Sequence, residues 1–241
     1  MSDTTSTLIS SGGKLTRQEL VLVPTPLGTT THKTLPHAEV IEALVETLGF
    51  RHIGVVSEEY AVSRDGMKMF GVLDLDTGMH GCRFSIGVRN AHDKSMRLAM
   101  TVGYRVFVCE NMAFSGDFEP VLAKHSKRFS LQNALSIGVD QMQRNFDGMR
   151  MQVDAWRESQ LADVTAKLII YRAFIQSELE VPKALARPVH DLYFSPRHEE
   201  FQSRTLWSLS NAFTSAFKEL DPIPQFRATG KLAGFLEAAC S

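Results

Sequence analysis

The stretch Met79–Cys109, MHGCRFSIGVRNAHDKSMRLAMTVGYRVFVC, decides the fold of this chain. In it, two segments of alternating apolar residues flank the polar turn Asn90-Ala91-His92-Asp93-Lys94-Ser95. Side chains on a strand alternate between two faces, so this spacing predicts a β-hairpin with one buried apolar face. The residues of that face are Cys82, Phe84, Ile86, Val88, Leu98, Met100, Val102, Tyr104, Val106 and Val108.

The opposite face of the hairpin carries four arginines. A guanidinium presents planar donors that match a phosphate group, and a flat sheet suits an extended nucleic-acid backbone. Three further cations precede the long predicted helix and would extend a basic track if that segment folds back beside the sheet. Phe70 and Phe107 on the charged side could stack on bases. The candidate nucleic-acid-binding residues are therefore Arg83, Arg89, Arg97, Arg105, Lys124, Lys127 and Arg128. The alternative is that the arginines pair with Glu59, Asp74 and Asp76 on the adjoining strands.

Composition limits the classes of function. The 241 residues have a net charge of −1, which argues against a general polyanion binder and requires any nucleic-acid site to be a local patch. The three cysteines form no Cys-x-x-Cys pair, which favours a reducing cytoplasm over a disulfide framework. No apolar run approaches the ~20 residues of a membrane span, so no membrane partner is expected. The polar residues 1–13 are predicted to be a disordered tail.

A four-stranded antiparallel meander is predicted over about residues 52–110. Pro36–Phe50 has the apolar stripe of a helix, and Leu20–Val23 reads as a short strand. Ile53–Val62 and Met67–Leu75 flank the loop Ser63-Arg64-Asp65-Gly66, which predicts a first hairpin before the arginine hairpin. Pairing across that loop would set Val62 opposite Met67, Tyr60 opposite Met69 and Val56 opposite Leu73.

A helical half follows at about residues 118–241. Its apolar residues recur at steps of four and three, close to a heptad seam: Leu131, Leu135, Val139, Met142, Phe146, Met149, Val153 and Trp156. After a one-residue skip the seam continues through Leu161, Val164, Leu168, Tyr171 and Ile175. The seam belongs either to a long helix laid across the meander or to a self-association helix. Amphipathic helices over Glu200–Leu220 and Lys231–Ala239 complete a single α+β domain, residues 14–241.

The chemistry-bearing residues give one enzymatic alternative. Asp74 and Asp76 lie two residues apart on one strand face and could hold a divalent metal, with Glu58, Glu59, Glu110 or Asp117 completing the site. Cys109 would need a neighbouring base or cation to act as a nucleophile. The phosphate-binding glycine loops and the nucleophile elbow are missing from the sequence. No catalytic residue, metal ligand or cofactor is therefore assigned.

Two stretches resemble a known family. Gly87–Ser95 followed by Val106–Met112, and the later Thr205–Thr214, are similar to the phage- and plasmid-borne domain-of-unknown-function family 932. Its motif residues match Asn90, Asp93, Asn111 and Asn211, whereas Ala91 stands where the family usually has serine. The resemblance implies a mobile-element origin and a cytoplasmic setting, and it brings no activity with it.

Three functions remain open at this point. The first is a non-enzymatic protein of phage or plasmid DNA metabolism that binds single-stranded nucleic acid on its arginine face, either alone or as an oligomer. The second is a protein-interaction or counter-defence module that docks a host protein through Trp207, Phe213 and Phe217. The third is a metal-dependent nuclease that uses Asp74 and Asp76.

Overall fold

The computed structural model describes residues 14–109, 111–114, 121–126, 128–220 and 222–240. The predicted tail, residues 1–13, lies outside the described residues. The chain divides into two compact units, which we treat separately. Unit 1 comprises Met1–Arg105 and Phe118–Phe146, and unit 2 comprises Val106–Asp117 and Asp147–Ser241. Among the described residues, no helix combines the length and the apolar character that a membrane span needs.

Unit 1 is built on an antiparallel sheet. Its strands follow the order β1-β2-β3-β4-β5, and a further strand, β7, pairs with β5. The α+β class and the four-stranded meander, β2 to β5, are confirmed. The strands are β1 (Lys14–Leu15), β2 (Val55–Val62), β3 (Lys68–Met79), β4 (Cys82–Ala91), β5 (Leu98–Val106) and β7 (Val121–Ala123). The three-residue strand β6 (Met112–Phe114) lies in unit 2.

The predicted register of the first hairpin is wrong by two residues. Val62 pairs with Met69 and Tyr60 with Gly71, instead of Met67 and Met69. The loop is longer than predicted because Ser63 N bonds to Lys68 O at 2.8 Å, while the Asp65 carboxylate accepts from Ser63 Oγ and Met67 N. Gly66 has φ 72° within this loop, a conformation that glycine adopts readily. A shift of two residues keeps every side chain on its face, so the predicted apolar face survives.

The long helix contacts the apolar face of the sheet as predicted, and a second helix of unit 1 buries its own apolar stripe. Helix α2 (His37–Gly49) buries Val40, Ile41, Leu44 and Leu48. The long helix α3 (Leu131–Glu158) contributes Phe146. Its ring stacks on that of Phe84 in β4, with the ring centroids 4.0 Å apart and the ring planes at 5°. Arg51 ties the end of α2 to α3 through Asp140, with Nε to Oδ1 at 2.6 Å. The first half of the heptad seam thus lies across the meander.

The other face of β4 and β5 differs from the prediction of an open, charged surface. Ser85 and Thr101 are 0% and 3% exposed, and Arg105 is 7% exposed. Every residue of β5 is buried. These strands therefore have two buried faces, so alternation of apolar and polar residues did not predict exposure here.

The short strand predicted at Leu20–Val23 is instead the end of a helix, α1 (Arg17–Val21). Thr16 caps this helix: its Oγ1 accepts from Glu19 N at 3.2 Å, and Glu19 Oε2 accepts from Thr16 N at 2.8 Å. This reciprocal pair is a capping box, a signal that outweighs the local β propensity of Leu-Val-Leu-Val.

Unit 2 is mainly helical. Its helices are the end of α3, then α4 (Asp163–Phe174), α5 (Ala186–Phe194), α6 (Leu206–Ala216) and α7 (Pro222–Cys240), with short 3-10 helices at Lys183–Leu185, Glu199–Phe201 and Phe217–Glu219. The closing helix is longer than the predicted Lys231–Ala239 because Pro222 and Pro224 occupy its first turn, where a missing N–H costs no hydrogen bond. The core includes Phe213, which stacks on Phe174 with ring centroids 5.6 Å apart.

Candidate functional site

Arg105 lies at the centre of a buried ion-pair network in unit 1. Its Nε is 3.1 Å from Asp74 Oδ2, and one terminal nitrogen is 3.5 Å from Glu59 Oε1. Ser85 Oγ donates to Asp74 Oδ1 at 2.6 Å. The side chains of Arg105 and Asp74 are only 8% and 4% exposed. Arg105 therefore makes the pairing that the alternative interpretation predicted, and its charge is neutralised by its own chain.

Arg83 and Arg89 lie on the same face of the sheet as Arg105, but each is nearer to an end of strand β4. In the register of β3 and β4, Arg89 pairs with Phe70 and Arg83 with Gly78. Both arginines and Phe70 are half-buried. Phe107, the other aromatic residue proposed for stacking, is 52% exposed and belongs to unit 2.

Four exposed cations of unit 1 lie in or beside the segments that meet where β7 returns to pair with β5. Leu98 pairs with Ala123, so Arg97 and Lys124 directly flank the last pair of this ladder. Ser126 bridges to His32, and Lys33 N donates to His125 O at 3.0 Å. We call this exposed set the basic edge; it comprises Lys33, Arg97, Lys124 and Arg128. Lys127 lies outside the described residues. Within the described part of the chain, no ion pair neutralises these four cations.

Asp74 and Asp76 occupy different environments. Asp74 is 3% exposed and held by Arg105 and Ser85, whereas Asp76 is exposed and lies within a register irregularity of β3, between Asp74 and Gly78. Glu58 pairs with Arg17 at the other side of the sheet. Glu110 and Asp117 lie outside the described residues. Among the residues that are described, no group of three or more histidine, cysteine or acidic side chains is placed to hold a metal ion.

A cluster of four buried histidines lies close to the basic edge. The rings of His37 and His92 stack with their centroids 3.9 Å apart and their planes at 7°. The rings of His32 and His125 stack with centroids 5.3 Å apart and planes at 14°. All four are at most 9% exposed. Asn90 Nδ2 donates to His37 Nδ1 and to Leu35 O, both at 2.9 Å. The two carbonyl partners fix the tautomers, because His37 Nε2 must donate to Gly66 O and His92 Nε2 to Leu35 O.

Three histidines of the cluster, His37, His92 and His125, favour the neutral form. Burial, helped by the neighbouring imidazoles, lowers the pKa of His37 and of His125 to about 4. Burial also lowers the pKa of His92. Sequence reasoning missed this cluster because positions 32, 37, 92 and 125 carry no ligand-like spacing. Only the fold brings them together.

Asp93 is a turn residue. Its Oδ1 accepts from Ser95 N at 2.9 Å and from Ser95 Oγ at 2.5 Å, and these hydrogen bonds lower its pKa. Lys68 Nζ lies 3.7 Å from the other carboxylate oxygen. The adjacent Lys94 has φ 64°, in the left-handed region. Asp93 thus closes the arginine hairpin and does not orient His92 as a base.

Asn111 and Asn211 meet in unit 2. Asn111 Nδ2 donates to Asn211 O at 3.1 Å and to Asn211 Oδ1 at 3.2 Å, while Ser215 Oγ donates to Asn111 Oδ1 at 3.0 Å. Asn211 Nδ2 in turn donates to Trp207 O at 3.0 Å. Cys109 Sγ is 4.0 Å from Asn211 Oδ1, a weak contact. The two amides fasten the segment before β6 to helix α6.

The family model described as Domain of unknown function (DUF932) matches residues 29–233. The chain belongs to this family. No curated protein and no solved structure matches the chain.

The four motif residues of this DUF932 domain fall in both units. Asn90 and Asp93 lie in unit 1, and Asn111 and Asn211 lie in unit 2. Asn90, Asn111 and Asn211 are at most 3% exposed, and their amides bond to backbone or neighbouring side chains. These three amides therefore hold their segments in the core of each unit, whereas Asp93 bonds within its own turn.

The residues expected to dock a host protein are part of the core of the DUF932 domain. Trp207 is 4% exposed, and Phe213 and Phe217 are fully buried. These three side chains are covered by their own chain, and the protein-interaction hypothesis stays a prediction.

Proposed function

We propose that this DUF932 domain is a non-enzymatic protein of phage or plasmid DNA metabolism that binds single-stranded nucleic acid through the basic edge. The proposal keeps only part of the seven candidate nucleic-acid-binding cations that the sequence indicated. Arg105 is neutralised, Arg83 and Arg89 form a half-buried rim, and Arg97, Lys124 and Arg128 remain exposed. Lys33 joins them through the contact with the His125 backbone.

The observation that supports the proposal is the pairing of β7 with β5. This pairing brings Lys124 beside Arg97, although the two are far apart in the sequence. Neighbouring strands lie about 4.8 Å apart, so two exposed cations on adjacent strands can contact successive groups of one phosphate backbone. In a chain whose net charge is −1, a local group of unneutralised cations gives an anionic polymer a definite place to bind.

A single strand fits this edge better than a duplex. Arg97 and Lys124 flank paired strands, whereas a duplex is read most often by a helix or ribbon that enters a groove. Phe70, beside Arg89 in the sheet register, offers an aromatic ring that a base could approach from the rim. The free cysteines Cys82, Cys109 and Cys240 accord with a cytoplasmic setting.

The test is fluorescence anisotropy of a labelled single-stranded oligothymidylate, titrated at several salt concentrations. The variant Arg97→Ala/Lys124→Ala/Arg128→Ala should bind more weakly and lower the slope of log K against log salt by about 2, since each phosphate contact contributes ~0.7 for a single strand. The matched control, Lys183→Ala/Arg187→Ala/Arg197→Ala, removes the same charges from exposed positions of unit 2 and should bind like the unmodified protein.

Equal losses in the two triple variants would show a general charge effect and refute the basic edge. Failure of the unmodified protein to bind at low salt would refute nucleic-acid binding altogether. A parallel gel with magnesium tests the non-enzymatic part of the proposal, because cleavage of the oligonucleotide would contradict it.

A further inference from the structure

Helix α4 is apolar on two opposite sides. One side packs into unit 2 through Ala166, Ile169, Ile170, Ala173 and Phe174. The other side exposes four large apolar residues, which we call the α4 stripe: Val164 at 77%, Leu168 at 56%, Tyr171 at 49% and Ile175 at 47%. A helix that is apolar all round is normally covered on all sides, so the stripe is an unusual surface for water to face.

The α4 stripe continues the heptad rhythm of α3, yet the two parts have different surroundings. The seam residues of α3 are buried in their own chain; Val139 and Met142, for example, are 0% exposed. Leu161, at the junction, is 9% exposed. From Val164 onward the seam turns outward. The part of the seam on α3 is therefore buried in the core of this chain, whereas the part on α4 is exposed.

The spacing of the stripe suits a second copy of the same chain. Its residues are separated by steps of four, three and four, and this order reads the same in both directions. Two antiparallel copies related by a twofold axis between Leu168 and Tyr171 would place Val164 opposite Ile175 and Leu168 opposite Tyr171. A twofold interface uses the same patch on both subunits, and a symmetric seam meets that requirement. We propose that a second copy of this chain docks on the α4 stripe, antiparallel to the first.

The charges that flank the stripe are engaged within their own chain. Lys167 Nζ lies 5.4 Å from the centre of the Phe194 ring. Arg172 bonds Glu178 through two nitrogens, at 2.9 and 3.0 Å. In the antiparallel arrangement Lys167 would face Arg172 of the other copy, and these internal partners reduce the repulsion between them. The arrangement is therefore compatible with the charges that surround it.

The area of the stripe sets the strength of the pair. At roughly 100 Å² of exposed surface for each side chain, the four residues would bury ~400 Å² per copy, about half of the ~800 Å² per partner in a standard interface. We therefore expect a weak dimer that dissociates on dilution in the micromolar range. Dimerisation does not depend on the proposed function, because a monomer would still carry the basic edge.

Sedimentation velocity between about 5 and 200 μM tests the proposal at concentrations suited to a weak pair. The unmodified protein should shift from monomer towards dimer, and Leu168→Glu should weaken association by about 100-fold because each dimer loses two apolar contacts and gains two buried charges. The matched control is Met151→Glu, at a 72% exposed position of α3 in unit 2, which should associate normally. A dimer that survives Leu168→Glu, or a monomer at every concentration, would overturn the proposal.

The antiparallel register has its own test. Val164→Lys and Ile175→Glu should each weaken the dimer, and the double variant should recover association because lysine would then face glutamate across the pair. In a parallel pair like residues would face each other, so the double variant would stay monomeric, and that result would refute the register.

Discussion

The histidine cluster predicts that the stability of the protein falls between pH 7 and pH 5. The folded state holds His37 and His125 with a pKa of about 4, against the ordinary value of 6.5. As the pH falls below 6.5, these two histidines bind protons in the unfolded chain but stay neutral in the folded chain. Protonation therefore favours unfolding, and the loss grows until the pH reaches the folded pKa.

The magnitude follows from the two pKa values. At pH 5 each of these histidines lowers the free energy of unfolding by ~2 kcal/mol relative to pH 7.5, and the pair lowers it by ~4 kcal/mol. The total free energy of unfolding of a domain of this kind is only about 5–15 kcal/mol, so the effect is measurable. The carboxylates with lowered pKa, such as Asp93 and Asp140, have an ordinary pKa of 3.8. Their linked losses fall at lower pH, which leaves the range from 6.5 to 5 to the histidines.

The assay is urea unfolding followed by circular dichroism at pH 7.5, 6.5, 5.5 and 5.0. His125→Phe should remove the contribution of His125 to the pH dependence, ~2 kcal/mol at pH 5. This change keeps a ring against His32 and loses no hydrogen bond, because both ring nitrogens of His125 are buried without a hydrogen-bond partner in the described part of the chain. His190→Phe, at a position whose side chain is 45% exposed, is the control and should keep the full pH dependence.

Two results would refute this reasoning. A free energy of unfolding that stays constant from pH 7.5 to 5.0 would mean that the cluster accepts protons without cost. An unchanged pH dependence in His125→Phe would place the responsible groups elsewhere in the protein.

Two further predictions concern buried polar contacts. Arg105→Met should lower the free energy of unfolding by about 3–5 kcal/mol, because it leaves the Asp74 carboxylate buried without its cation. Arg105→Met with Asp74→Leu should recover part of that loss in urea unfolding, and an additive loss in the double variant would contradict the pairing. Asn111→Ala should cost about 1–3 kcal/mol, because Asn211 and Ser215 lose a buried partner. Both tryptophans lie in unit 2, so tryptophan fluorescence during unfolding measures this loss, and an unchanged midpoint would contradict it.

The sequence predicts the parts of the fold that depend on local periodicity. Alternation specifies β2 to β5, and the stripe of Pro36–Phe50 specifies α2 to within a residue at each end. The errors come from signals that act over three or four residues. The capping box at Thr16 converts a predicted strand into a helix, and the bonds of Ser63 and Asp65 lengthen a loop. Both signals depend on side-chain hydrogen bonds rather than on hydrophobic pattern.

The candidate site depends on contacts that no periodicity encodes. The basic edge requires that a three-residue strand, β7, choose β5 as its partner. The histidine cluster joins residues from four separate segments. The α4 stripe shares its rhythm with the buried seam of α3, and only the packing of Ala166 and Ala173 shows which side of α4 is covered. Sequence reasoning therefore finds the candidate residues but cannot separate the buried ones from the exposed ones.

A count of arginines on one strand face overestimates the charge that a ligand can reach. Arg105 and Asp74 lie on one sheet face, with Ser85 as the register partner of Asp74. A cation that leaves water must find a carboxylate, since an unpaired buried charge costs several kcal/mol. The strand that carries the acidic partner therefore decides which arginine is structural. By the same argument, cations at the ends of a ladder, where Arg97 and Lys124 lie, remain hydrated and available. A row of arginines is evidence for a binding surface only when the arginines that pair with carboxylates on neighbouring strands are left out of the count.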